Sequence, residues 1–159
     1  MKKLVAVTVA VLVFLSAASA GYALDTTLLT TRNKIFDESK LLRAQLATSQ
    51  DVMLLSSLFD SCLLTTSQLD AYFTMLGIFN SIRREDISPV PLDHLTRWLV
   101  EIKTTNNLTI KNLESSLGAT IEPANQTTLE KFRDYFVKLN NQIDVDLAKI
   151  ALMKKAAKR

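Results

Sequence analysis

One cysteine and one histidine are the most reactive side chains in this 159-residue sequence, and together they permit little chemistry. Cys62 and His94 would make a nucleophilic dyad only if the fold brought them together. Cys62 sits at helical spacing among Leu55, Phe59, Leu69, Phe73 and Leu76, where a thiol behaves as a small, inert hydrophobe with a raised pKa. A c-type haem needs Cys-x-x-Cys-His, which a single cysteine cannot supply, and no intramolecular disulfide can form. A carboxylate-bridged di-iron bundle needs Glu-x-x-His on two helices, and no Glu-x-x-His occurs. A b-type haem would pair His94 with Met53, Met75 or Met153. His94 follows Asp93 in the first turn of a predicted helix, where a solvent-facing or capping-region histidine is expected.

The carboxylates Glu101, Asp134 and Asp144 would have to converge to serve an enzyme, and nothing in their spacing draws them together. There is no Gly-rich phosphate loop. Asn107-Leu108-Thr109 and Asn125-Gln126-Thr127 match the glycosylation sequon, which matters only in a eukaryotic secretory pathway. The expectation is a protein with no catalytic residues, no cofactor and no metal site.

The elements that would position any site read as helices. Leu129, Phe132, Phe136, Leu139, Ile143, Ile150 and Met153 recur on three- and four-residue steps, the seam of a bundle or coiled coil. The seam is interrupted at Asp146, with Leu147 taking the apolar role, and the helix is predicted over 124–156. Before it, Leu95, Trp98, Leu99, Ile102, Ile110, Leu113 and Leu117 form an apolar face that Gly118 terminates. That helix should begin at Pro91 or Leu92, after an extended Ser88-Pro89-Val90-Pro91, because proline suits a first turn. Thr104-Thr105-Asn106-Asn107 puts four poor helix formers in a row, which predicts a local break or bend.

Residues 25–84 contain no breaker before Gly77, so the phase of the seam decides their organisation. Leu28, Ile35, Leu42 and Leu46 share one heptad frame. Val52, Leu55, Phe59, Cys62, Leu69, Phe73 and Leu76 share another, displaced by one residue, and this second frame runs unbroken through Thr65-Thr66-Ser67. The displacement falls across Thr48-Ser49-Gln50-Asp51, where a hydroxyl can cap a new helix. Helices over 26–47 and 51–84 follow, with one continuous helix as the rival. Four such helices joined by short connections predict an all-α, antiparallel up-down-up-down four-helix bundle. In fold class alone this resembles the four-helix sensory domains of bacterial receptors.

Lys2 and Lys3, the apolar run from Leu4 to Leu15, and the small residues Ala18-Ser19-Ala20 and Gly21-Tyr22-Ala23 have the layout of a cleavable secretory signal. Cleavage after Ala23 or Ala20 is expected, and the brevity of the segment is bacterial in style. The sequence then divides into a signal peptide (1–23), one bundle domain (24–153) and a basic tail (154–159). Loss of Lys2 and Lys3 lowers the formal charge from +3 to +1. Lys154, Lys155, Lys158 and Arg159 carry four of the remaining positive charges, so the rest of the mature chain is net acidic. A nucleic-acid binder needs a basic face across its fold, and none is present.

Composition and pattern therefore predict a small exported, periplasmic or extracellular, binding or scaffold module. Its partner is a protein or a small ligand, with no nucleic acid and no stable membrane insertion after cleavage. The alternatives are a bundle that holds a cofactor such as haem, or a peripheral membrane protein attached by the basic tail. Nothing in the pattern fixes an oligomeric state.

Overall fold

The computed structural model describes residues 26–80, 89–119 and 121–157. The predicted signal at 1–23 and the end of the second predicted helix at 81–84 lie outside the described residues. The described residues form four helices: α1 (Thr26–Gln45), α2 (Val52–Asn80), α3 (Pro89–Leu117) and α4 (Pro123–Ala157). Each packs on its neighbour in sequence and α1 closes against α4, consistent with an up-down four-helix bundle. The register of α3 and α4 is antiparallel: Lys154 pairs with Asp93 and Lys103 with Asp144, while Asn140 meets Asn106 between them.

The core holds most of the two seams predicted for residues 25–84, although Val52, placed in the second, is exposed. Leu28, Ile35 and Leu42 come from α1, Leu55, Cys62 and Leu69 from α2, Leu95, Leu99 and Ile102 from α3, and Leu129, Phe136 and Ile143 from α4. Removing such side chains from water drives the association, at roughly 1.5–3 kcal/mol for each large one.

The phase shift between α1 and α2 is a real break, and the single long helix does not form. Helix α1 ends in a turn at Leu46–Thr48. Ser49 Oγ accepts a hydrogen bond from the Asp51 amide at 3.0 Å, and the Asp51 carbonyl accepts the first bond of α2 from Leu55. The Asp51 carboxylate is thereby free to cap the other turn, accepting from the Glu122 amide at 3.1 Å. Asn125, buried in the first turn of α4, places Nδ2 2.7 Å from Asp51 Oδ2, 2.8 Å from Ser49 Oγ and 3.0 Å from Glu122 Oε2. Two connections far apart in sequence are thus locked to each other by side chains that also satisfy helix-terminal amides.

Three local expectations need correction. Helix α3 begins at Pro89, so Val90 and Pro91 are helical rather than extended. Prolines in a first turn forgo amide donors that would have no intrahelical partner there. The helix also runs unbroken through Thr104–Asn107. The threonine hydroxyls fold back onto carbonyls one turn earlier, Thr104 onto Val100 and Thr105 onto Glu101, and Asn106 is fully buried between helices. Asp146 itself occupies the seam and is buried, whereas Leu147 is only partly covered. Its charge is met by Lys149 Nζ at 2.9 Å. Helix α4 runs to Ala157, one residue past its predicted end, and Lys154 reaches Asp93 at 2.7 Å.

Candidate functional site

The residues with chemical potential are not brought together. Cys62 is buried on α2, and loss of water contact pushes its thiol pKa up. His94 is exposed in the first turn of α3. Of its three candidate haem partners, Met53 lies on the outer surface, while Met75 and Met153 pack against the apolar core. Asp144 is engaged by Lys103 and Asp134 by its neighbour Arg133. Glu101 is exposed on α3. Among the described residues, no group of three or more His, Cys, Asp and Glu gathers as a metal ion requires. The two sequon asparagines have opposite surroundings, Asn125 being buried in the turn lock and Asn107 exposed on α3.

A polar layer crosses the apolar core. Thr65 Oγ1 on α2 donates to Asn106 Oδ1 on α3 at 2.9 Å. Asn106 Nδ2 donates to Asn140 Oδ1 on α4 at 3.1 Å, and Asn140 Nδ2 returns to Asn107 Oδ1 at 2.8 Å. Thr65, Asn106 and Asn140 are all buried. Buried amides are tolerated where their donors and acceptors find partners, and they penalise any packing that separates them. The layer sets the relative register of three helices, as a polar residue does in a coiled-coil seam.

Helix α2 carries apolar residues on both sides. Inward it buries Leu55, Leu58, Cys62, Leu69, Tyr72 and Leu76, and outward it exposes Val52, Met53, Leu63, Leu64 and Ile78. It is long and apolar enough, by length and composition alone, to cross a membrane. It contains no Lys or Arg. On its outer side, Val52, Met53, Ser56, Ser57, Asp60, Ser61 and Leu64 line a shallow, open depression of about 550 Å³. Met53 is 89% exposed and Leu64 50%, values that identify the two ends of this strip as uncovered apolar surface.

The sequence pattern identified the buried side of α2 and missed the outer strip. The signal was present as apolar residues lying outside the heptad frame, Met53, Leu63 and Leu64. Exposed apolar residues scattered singly need no explanation, whereas contiguous ones mark contact surfaces. No family model, curated protein or solved structure compared with this chain matches it.

Proposed function

We propose that this chain is a small exported helical module that acts by binding a protein partner and carries out no catalysis. The observation that carries this reading is the outer face of α2, where Met53 and Leu64 flank a serine-lined depression that nothing among the described residues covers. A soluble helix normally turns a polar face to water, and on α2 that face, with Ser57, Asp60 and Asp70 exposed, is interrupted by Met53, Leu63 and Leu64. An antiparallel up-down-up-down bundle, pinned by the polar layer and the turn lock, is a rigid frame for presenting such a face. Export rests on residues 1–23, whose charged start, apolar run and small-residue cleavage sites direct the mature chain to a periplasm or the exterior.

The pairing of Lys154 with Asp93 weighs against the basic segment as a lipid anchor. A membrane would draw it by roughly 1 kcal/mol per basic residue, and this one is already engaged.

The test is a photo-reactive residue placed at Met53 or Leu64 in the chain expressed in an exporting host. Adducts should form at these two positions and not at His94 or Thr104, which are exposed on α3. Equal yields at all four positions, or none at any, would remove the α2 face as a binding surface. Amino-terminal sequencing of the exported material should begin at Leu24 or Gly21, and recovery of Met1 would refute the signal.

A further inference from the structure

Met53, Asp60 and Leu64 are separated by seven and then four residues, so they fall on one line along the outer side of α2. Asp60 is exposed, and among the described residues no ion pair or hydrogen bond engages its carboxylate. Helix α2 contains no Lys or Arg, and no basic side chain lines the depression. Ser56 and Ser57 add hydroxyl oxygens to the same depression, while the Ser61 hydroxyl is turned back onto the Ser57 carbonyl at 2.9 Å. The only formal charge in the depression is therefore negative.

We propose that this strip selects a cation: the partner segment it docks carries a Lys or Arg that meets Asp60, flanked by apolar side chains that cover Met53 and Leu64. The inference rests on the reading of α2 as a binding face and names the chemistry of the partner. A rise of about 1.5 Å per residue puts the two apolar contacts roughly 10 Å and 6 Å from the charge on either side. An ammonium or guanidinium has several N–H donors and no acceptor, and the carboxylate and serine oxygens can accept from it together. An anionic segment would set a second negative charge against Asp60 with no base in the depression to offset it.

One influence opposes this choice, the positive end of the α2 dipole, which favours anions. It acts within the first turn, from Val52, and Asp60 lies about two turns further along. The carboxylate therefore decides the sign. Complementary charge contributes specificity and register more than affinity, so the apolar contacts at Met53 and Leu64 supply most of the binding.

The test titrates the exported chain with octylammonium and with octanoate, which share an apolar chain and differ in the sign of the head group, and follows backbone amide resonances. Both should shift the amides of Ser56, Asp60 and Leu64, with octylammonium binding about three- to fivefold tighter, the range of an exposed ion pair. Raising the salt should narrow the difference, because exposed charges are screened. Asp60→Asn should abolish the preference and leave circular dichroism unchanged, since the side chain is a surface group. Leu64→Ser should weaken both probes alike. Equal affinities for the wild-type chain, tighter octanoate, no shift at these amides, or a preference that survives Asp60→Asn overturns the proposal. If the preference is absent while a photo-reactive residue at position 53 still forms its adduct, cation selection falls and the binding face stands. If both are absent, both fall.

Discussion

Asn106 and Asn140 face each other across the interface of α3 and α4, with Asn106 Nδ2 donating to Asn140 Oδ1 at 3.1 Å and Thr65 donating to the other end of Asn106. Replacing Asn106 with alanine leaves a hydroxyl and a carboxamide oxygen buried without this partner. An orphaned buried group costs about 1–3 kcal/mol, so the variant should lose about 2–4 kcal/mol in a urea titration. The concerted Thr65→Val/Asn106→Leu/Asn140→Leu change should lose far less, or gain, because no unpaired donor or acceptor remains among the three. Its cost should be in uniqueness, seen as broadened amide resonances. A sharp spectrum from the triple variant would mean that the layer does not select the register.

Burial holds the Cys62 thiol well above its ordinary value, and the consequence for alkaline stability has a definite sign. A folded-state pKa above the unfolded one means that only the unfolded chain ionises as pH rises past about 8.5. Stability should therefore be intact below that pH and fall above it, by up to about 1.4 kcal/mol per pH unit. Cys62→Ala should lack this component of the alkaline decline, although the cavity lowers its stability at neutral pH. Parallel declines for the two chains would show that the thiol is accessible to water. Labelling of native Cys62 by a thiol reagent should be slow and should accelerate in denaturant.

Asn125 ties the turn between α1 and α2 to the start of α4 through Ser49, Asp51 and Glu122. Asn125→Ala should cost about 2–3 kcal/mol, from lost bonds to charged acceptors. Asn125→Asp is the sharper test, because it places a third carboxylate beside two others in a buried position. Like charges and burial both raise the folded-state pKa of the new group, so its penalty should be large near neutral pH and shrink as pH falls toward about 4. A penalty independent of pH would show that the three carboxylates do not share one site.

The Lys154–Asp93 pair fastens the end of α4 to the start of α3, with Asp93 more than half exposed. Pairs of this exposure are worth about 0–1 kcal/mol, so truncation after Met153 should lower stability by no more than about 1 kcal/mol. Asp93→Asn should then add little to the truncated chain. A double-mutant cycle checks the coupling directly. The intact mature chain should not co-sediment with anionic vesicles at physiological salt.

Much of this architecture is legible in the residues, and what escapes does so for physical reasons that can be named. The break at Thr48–Asp51 shows in the phase of the apolar frame, and Pro123 and Gly118 mark helix boundaries through backbone constraints that act locally. Thr104–Asn107 misleads because an asparagine run looks like a helix weakness when its partners are out of view. Asn106 is at home in its helix only because Thr65 and Asn140 arrive from two others. Asp146 misleads likewise, since the carboxylate that interrupts the apolar pattern is buried in the seam and paired with Lys149. The face of α2 escapes because periodicity finds the stripe a helix buries and is blind to a second stripe beside it.

The ladder running from Thr65 through Asn106 and Asn140 to Asn107 takes its members from α2, α3 and α4. Helix α1, the shortest of the four at 20 residues, meets its neighbours through Leu28, Ile35 and Leu42, with exposed ion pairs such as Lys131–Glu38 at its edge. Cooperative opening of proteins follows such boundaries. In hydrogen exchange the amides of α1 should open at lower free energy than those of the three laddered helices. The bundle then behaves mechanically as a three-helix chassis with one releasable stave.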